Sequence, residues 1–195
     1  MAGISRADIW YPFFVAAAIA FIIFGGFRGR AFVFCTALTL ALSNGLAVHP
    51  LKQAIGRPRP KQTEAVRLVE LQKARPMILT LLKKPEIRYS NAADRARSGA
   101  SFPSGHTNNN TIIALCCTLF YRRRGALYWP VALAVMYSRI YLGAHWPSDV
   151  AGTFFLGIGE TLLVLGLCEL VWKFIVARRW PRIAAQHPTI LPSHA

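Results

Sequence analysis

The chain consists of long apolar runs separated by turns and by one hydrophilic stretch. Each run carries few or no charged residues, and together the runs cover residues 11–27, 31–51, 107–121, 126–142 and 150–177. A helix of about 20 apolar residues spans the hydrocarbon core of a bilayer, so each run predicts a transmembrane helix. A cleaved signal peptide is disfavoured for the first run, because no small-x-small cleavage site follows it cleanly and more apolar segments come at once. The pattern predicts an all-α, polytopic membrane bundle of about five helices.

The hydrophilic stretch covers residues 52–102 and begins near the Gly-Arg-Pro-Arg-Pro sequence at residues 56–60, which cannot continue a helix. Within it, residues 65–82 intersperse apolar side chains with three basic ones, Arg67, Lys73 and Arg75. We expect a basic amphipathic helix in the headgroup plane, bent at Pro76, or a solvated helix that packs on its neighbours. Residues 1–195 are thus predicted to form a single integral-membrane domain with a helical extramembrane insertion.

Counting the passes assigns each connecting segment to one side of the membrane. The N-terminus, residues 52–102 and the loop at 143–149 share one face, whereas the turns at 28–30 and 122–125 and the C-terminus share the other. The short elements of this second face are rich in Arg and Lys, which predicts that it is cytoplasmic. Residues 52–102 also carry many cations, so the charge bias is not one-sided. We expect the first face to point outward.

Composition adds an anionic partner to this picture. Hydrophobic residues make up 54% of the 195 residues, and 23 Lys and Arg against 8 Asp and Glu leave a net charge of +15. The hydrophobicity excludes a disordered basic tail, and the dispersal of the cations among apolar runs disfavours a nucleic-acid binder. The four cysteines lie inside apolar runs without zinc or disulfide spacing, which predicts packing roles for Cys35, Cys116, Cys117 and Cys168.

Three polar clusters lie at predicted helix ends of the outward face. In chain order they are Lys52 with Arg57 and Arg59, the Pro-Ser-Gly-His sequence at 103–106, and Ser138-Arg139 followed by His145 and Asp149. For a phosphate ligand, Lys52, Arg59 and Arg139 would supply positive charge, and a guanidinium matches phosphoryl oxygens with a planar fork. Ser104 and Gly105 precede a helix start, where free backbone N–H groups bind anions. These five residues are the predicted phosphate site.

Two histidines of these clusters predict covalent catalysis. His145 lies four residues before Asp149, so the carboxylate can accept an imidazole N–H and leave the lone pair of the other nitrogen pointing outward. We therefore predict His145 as a nucleophile that forms a phosphohistidine. His106 lies beside the backbone cradle, where it can protonate the leaving oxygen.

Other polar residues are given structural interpretations. The side chains of Arg57 and Lys61 are expected to reach lipid headgroups, and His49 is expected to be an interfacial residue. Glu160 and Glu169 are nine residues apart and face nearly opposite sides of a helix, so a paired-carboxylate site is not predicted and their roles stay open. The run at 108–110 could satisfy polar groups in the first turn of a helix, and no partner is predicted for His187 and His194.

The clusters resemble the motifs of the type 2 phosphatidic acid phosphatase superfamily. Residues 52–60 read KQAIGRPRP and fit KxxxxxxRP, residues 103–106 read PSGH, and residues 138–149 read SRIYLGAHWPSD and fit SRxxxxxHxxxD. The resemblance covers about residues 31–165. Many membrane members of the family have six spans, three of them before the lysine motif, where this chain has two, so a sixth span is the alternative to five.

The resemblance implies a mechanism without metal or cofactor. His145 would attack phosphorus, Asp149 would orient it, and His106 would donate the proton, while Lys52, Arg59, Ser104, Gly105 and Arg139 would hold the phosphate. Similar membrane members act on lipid A, phosphatidylglycerophosphate, phosphatidate or undecaprenyl pyrophosphate. They typically do so at the outer face of the bacterial inner membrane, which implies an active site that faces the periplasm.

The expected function is therefore hydrolysis of a lipid phosphomonoester or pyrophosphate. A lipid phosphotransferase shares the first half-reaction and stays open as an alternative. A non-enzymatic anion channel or anionic-lipid-binding protein leaves the His145–Asp149 pair and the PSGH sequence unexplained, and a haloperoxidase is disfavoured by the mean hydropathy of +0.35. The headgroup, the choice between monophosphate and pyrophosphate, and the oligomeric state are not predicted.

Overall fold

The computed structural model describes residues 3–4, 6–71, 74, 76–96 and 99–192, and it is predominantly helical. The long helices are α1 (Ala7–Phe24), α2 (Gly26–Leu42), α6 (Gly105–Ala126), α7 (Trp129–Tyr141) and α8 (Pro147–Val171). The short ones are α3 (His49–Ile55), α4 (Pro60–Thr63), α5 (Ala92–Arg95), α9 (Ala177–Arg179) and α10 (Pro181–Gln186). Single π-helical segments, Ser43–Val48 and Trp172–Val176, join α2 to α3 and α8 to α9 without a break.

The five predicted apolar runs all coincide with long helices. In the described part of the chain, two helices are long and apolar enough to cross a membrane, Gly26–Thr63 and Pro147–Val176, and a shorter apolar helix covers Asp8–Phe24. Within Gly26–Thr63 the helical backbone is interrupted after α3 at Gly56, whose positive φ of 58° is a left-handed conformation that favours glycine. This turn releases the following arginines from the helix.

The buried core lies between α2, α6, α7 and α8. One cluster joins α2, α6 and α8 through Phe32, Cys35, Ile112, Cys116, Phe120 and Leu165. A second joins α6, α7 and α8 through Ala114, Ala132, Met136 and Val150. Two of the four free cysteines are thus core residues, as their position in apolar runs predicts. The clusters fix the starts of α6 and α8 relative to the end of α7.

The predicted amphipathic helix at residues 65–82 is wrong. Strand β1 (Arg67–Leu71) pairs antiparallel with β2 (Pro85–Tyr89), and a 3-10 helix, Met77–Leu82, lies between them. The pairing places Leu68 opposite Arg88, and Arg88 binds the carboxylates of Glu70 and Asp94. Strand partners 14 to 22 residues away satisfy the backbone of β1, and local periodicity does not report such partners. Lys73 and Arg75, which carried part of that prediction, lie outside the described residues.

The hairpin packs beside the loop between α7 and α8. Gly143 in this loop has a φ of +60°, and a Cβ atom added there would lie 2.9 Å from a methyl group of Val66. The Lys61 N–H donates to the Gly143 carbonyl at 3.3 Å. The insertion therefore buttresses the loop that carries His145.

Candidate active site

Three segments distant in sequence meet at the ends of α3, α6 and α8. The Ser101 N–H donates to the Arg57 carbonyl at 2.6 Å, and the Ser101 carbonyl accepts from His145 Nδ1 at 2.5 Å. The Ser101 hydroxyl donates to Asp149 Oδ2. Ser101 is fully buried and lies two residues before the second polar cluster, and its hydrogen bonds link the first cluster to the third.

His145 is held as a neutral imidazole with one nitrogen available. Its side chain is buried, and because a carbonyl oxygen only accepts, Nδ1 carries the proton and Nε2 carries the lone pair. Burial lowers the pKa of His145 to about 3; the bond to Ser101 opposes this shift, and the positive charges of Arg139 and Arg59 add to it. A neutral imidazole with a lone pair on Nε2 can attack an electrophile, and it has no proton on that nitrogen to donate.

The carboxylate of Asp149 is fully buried and accepts three hydrogen bonds. The donors are Arg57 Nη1 at 2.7 Å, the Trp146 N–H at 2.9 Å and the Ser101 hydroxyl. The predicted direct bond to His145 is not among the contacts of the described residues. The i,i+4 argument assumed one helix for both residues, but α8 begins at Pro147, so His145 lies outside it and Asp149 caps its first turn. Asp149 instead reaches His145 through Ser101.

The sequence predicts that the Arg57 side chain reaches lipid headgroups, and this prediction is wrong. Arg57 Nη1 also binds the Ser148 hydroxyl at 3.0 Å, and its guanidinium lies 5.6 Å from the ring centroid of Trp146. Only Pro58 separates the two arginines of this segment. Arg57 binds Asp149, whereas Arg59 lies near Lys52 and Arg139. A buried carboxylate requires a cation partner, and this requirement could have indicated the role of Arg57 from the sequence. No feature of the sequence indicated the role of Ser101.

The three predicted phosphate-binding cations lie close together. Arg59 is near enough to Lys52 and to Arg139 for mutual electrostatic repulsion. Arg59 Nε and Arg139 Nε are buried without a hydrogen-bond partner among the described residues. Grouped positive charges with unpaired donors are costly to bury, and an anion bound between them would remove that cost.

The start of α6 forms the remaining wall. The Ser104 hydroxyl accepts from the Thr107 N–H at 3.4 Å and from Thr107 Oγ1 at 3.0 Å, which leaves its own hydrogen to donate. The Ser104 N–H, predicted to be free, donates to Thr153 Oγ1 at 2.9 Å. A Cβ added to Gly105 would meet nothing within 4 Å, so its backbone borders open space. The backbone cradle therefore starts at Gly105, and half-buried His106 follows directly.

A polar network lies one turn deeper. Asn108 donates to the Ser43 hydroxyl and to Glu160 Oε2, and the Ser43 hydroxyl donates to the same Glu160 oxygen at 2.5 Å. Glu160 thus links α8 to α6 and to the π-helical segment after α2. Within the part of the chain that the structure describes, no three His, Cys, Asp or Glu side chains are grouped as metal ligands.

The other polar residues have structural partners. Glu169 accepts from the Ile190 N–H at 2.9 Å and pairs with Lys173 at 3.4 Å. His187, for which no partner was predicted, stacks on Phe27 with 3.9 Å between ring centroids. His49 Nδ1 binds the Asn44 carbonyl at 2.6 Å, and His194 lies outside the described residues.

Comparison with known proteins gives the same motifs a family. The model of the PAP2 superfamily matches residues 28–180. A lipid A 4′-phosphatase of Bacteroides thetaiotaomicron is 27% identical over 168 residues, which are 83% of this chain and 66% of the relative. A lipid A 1-phosphatase of Rhizobium etli is 28% identical over 78% of this chain and 58% of the relative. An undecaprenyl-diphosphatase of Bacillus subtilis is 33% identical over 39% of each chain.

No solved structure matches the chain significantly. The chain spans two thirds or less of the length of these curated relatives. The family match covers the three polar clusters and every helix from α3 to α8. On this match, the chain belongs to the PAP2 superfamily.

Proposed function

We propose that the protein is an integral-membrane lipid phosphatase that hydrolyses a phosphomonoester or pyrophosphate on a lipid through a phosphohistidine. The main support is the state of His145: Nδ1 is committed to a carbonyl, and Nε2 keeps its lone pair beside the charges of Arg59 and Arg139. The relatives named above act on lipid A or on undecaprenyl diphosphate, which supports a lipid phosphate as the substrate.

In the first step, His145 Nε2 attacks phosphorus and the bond to the leaving oxygen breaks. His106 gives its proton to that oxygen, so the lipid leaves as a neutral alcohol or as a shorter phosphate. In the second step, His106 takes a proton from water, and the oxygen of that water displaces His145. Orthophosphate leaves, and both histidines return to their initial states.

The phosphate is held by Lys52, Arg59, Arg139, Ser104 and Gly105. Three cations and the donors at the start of α6 neutralise the charge on the equatorial oxygens as the phosphoryl group transfers. This charge balance is reached without a metal ion or a cofactor. Asp149 stabilises the positive charge that His145 acquires when it attacks, and Ser101 and Arg57 hold both groups in place.

We further propose that the five long helices span the bacterial inner membrane as one domain, residues 1–195. The N-terminus, residues 52–102 and the loop at 143–149 would face the periplasm. Large apolar side chains exposed on α1 and α8 support contact with lipid, among them Phe24 at 84% exposure and Phe155 at 70%. The partners of the domain are the bilayer and a lipid phosphate, and we propose no nucleic-acid partner.

The test is orthophosphate release from a panel of lipid phosphates by the full chain in detergent with a chelator. We expect release by the native chain, none by His145→Ala, and slow release by His106→Ala. Labelled phosphate should appear on His145 after an acid-free quench. Activity that survives His145→Ala, or that the chelator abolishes, would refute the mechanism, and release only when a second lipid acceptor is present would establish a phosphotransferase.

A further inference from the structure

The helix that carries Lys52 contains one step of five residues on its buried face. From Phe32 onward, buried positions follow one another three or four residues apart, as in an α-helix, until Ser43, and the next buried position is Val48. Leu46, which an α-helix would bring close to that face, is instead 74% exposed. The step coincides with the π-helical segment Ser43–Val48. The buried residues of this face are Phe32, Cys35, Thr39, Ser43 and Val48.

This step decides which side chain the helix directs to the phosphate site. A π-helix bonds each N–H to the carbonyl five residues back, so its turn holds about one residue more than an α-helical turn, and one residue corresponds to a rotation of about 100°. Lys52 follows Val48 by four residues and continues the buried face, near Arg59. With steps of four throughout, that face would pass through Ala47 and Leu51, and Lys52 would point about 100° away.

Polar side chains within the segment bind its backbone carbonyls. In an α-helix the Asn44 carbonyl accepts from the N–H of residue 48, whereas here it accepts from the His49 N–H and, at 2.6 Å, from His49 Nδ1. Asn44 Nδ2 donates to the Leu40 carbonyl at 2.8 Å. Side chains that bind backbone carbonyls compete with the regular α-helical ladder. These bonds therefore favour the wide turn over an α-helical one.

Two consecutive asparagines of α6 attach the wide turn to the other phosphate-binding element. Asn109 Oδ1 accepts from Asn44 Nδ2 at 3.1 Å, and Asn108 Nδ2 donates to the Ser43 hydroxyl. Both asparagines lie about one helical turn after Gly105, where the backbone cradle starts. The helix that carries Lys52 is thus fixed to the start of α6 by directional bonds as well as by apolar packing.

From this we propose that Asn44 is a positioning residue for catalysis, which holds the five-residue step that directs Lys52, rather than Leu51, to the phosphate. The inference rests on the proposed function and deepens it, since Lys52 acts there as a phosphate-binding cation. Asn44 acts through the direction in which the Lys52 side chain leaves the helix and not by contact with the phosphate. The bonds from Asn109 and Ser43 hold the same turn.

The test is a double-mutant cycle of Asn44→Leu and Lys52→Met with the full chain in detergent. The substrate is the lipid phosphate that the native chain hydrolyses fastest. Lys52→Met should lower kcat/KM by at least about a hundredfold, and Asn44→Leu by at least about tenfold, because two hydrogen bonds that hold the turn are lost. In the Lys52→Met chain, Asn44→Leu should cause less than about a twofold further loss, since the side chain that it positions is already gone.

The inhibition constant of inorganic phosphate separates positioning from folding. A smaller folded fraction lowers the rate but leaves this constant unchanged, whereas a displaced Lys52 weakens phosphate binding. We expect Asn44→Leu to raise the constant by at least about fivefold. The matched control is Thr39→Val, which removes a bond of 2.7 Å to the carbonyl four residues back in the α-helical part of the same helix. Thr39→Val should change neither kcat/KM nor the inhibition constant.

Two single-residue deletions test the step itself. Deletion of Leu46 removes the additional residue, so an ordinary α-helix would carry Lys52 to the same face. Deletion of Pro50, in α3 after the step, would rotate Lys52 by about 100° relative to Val48. We expect kcat/KM of the first deletion to exceed that of the second by at least about tenfold. This comparison decides the question alone if Asn44→Leu does not fold.

Three results would overturn the inference while leaving the proposed function intact. They are a double mutant that shows the full product of both single losses, an unchanged inhibition constant in Asn44→Leu, and equal losses in the two deletions. Native kcat/KM in Lys52→Met would instead refute the role of Lys52 in the proposed function, and with it the inference. A native chain that releases no phosphate from any lipid would refute the proposed function as a whole.

Discussion

Replacing Arg57 by Leu tests whether the buried charge of Asp149 supports catalysis from outside the phosphate site. The change removes the charged hydrogen bond of 2.7 Å to a carboxylate with 0% side-chain exposure. Breaking a buried ion pair costs about 3–5 kcal/mol, and because the Arg57 side chain is 42% exposed, solvent screening reduces this to ~2 kcal/mol. If that loss falls on the orientation of His145, kcat decreases about 30-fold.

The assay is the initial rate of phosphate release as a function of substrate concentration. Arg57 contacts Asp149, Ser148 and Trp146 rather than the group between Arg59 and Arg139, so we expect KM to stay nearly constant while kcat falls. Arg57→Lys should recover part of the rate because it restores the charge without the second hydrogen bond. Arg123→Leu, at an exposed arginine in the last turn of α6, is the matched control.

A change in KM with kcat preserved would refute this reasoning, since it would place Arg57 on the substrate. An unchanged kcat for Arg57→Leu would refute it as well. The melting temperature is measured on the same samples. If Arg57→Leu lowers it so far that unfolded protein accounts for the lost activity, Arg57 supports folding alone.

Three further predictions concern single residues. The pKa of His145 falls from 6.5 in the unfolded chain to about 3 in the folded one, so the unfolded chain binds more protons between these pH values. The free energy of unfolding should therefore rise with pH in this range, by up to about 1.4 kcal/mol per pH unit. His145→Gln should reduce this pH dependence, which denaturant unfolding from pH 4 to 6 measures. Gly157→Ala should lower the free energy of unfolding by about 1–3 kcal/mol, because its Cβ would lie 2.9 Å from Asn108 Oδ1. The control Gly159→Ala meets nothing within 4 Å and should leave the stability unchanged. Equal melting temperatures for the two variants would contradict this prediction. His106→Ala should slow release of an alkyl alcohol by about 10²–10⁴-fold but release of p-nitrophenol far less, since that group departs without a proton; equal losses on both substrates would exclude His106 as the acid.

The apolar runs and the local motifs follow from the sequence alone. Hydrophobic length reports a helix directly, so all five long helices coincide with predicted runs. The predicted phosphate-binding and catalytic residues lie in three short segments, each beside a helix end, and the chemistry predicted for them follows from residue type and position at that end. These properties depend on neighbours within about two turns of chain.

Contacts between distant segments required the tertiary structure. The strand pairing that replaced the expected helix at 65–82, the salt bridge of Arg57 and the contacts of Ser101 join residues from 14 to 92 positions apart. The partner of His145 also differs from the predicted one, because a loop residue outside α8 is positioned by the segment before α6. Hydropathy and spacing describe one element at a time, whereas the bond that an imidazole or a carboxylate forms depends on which other helix end packing brings to it.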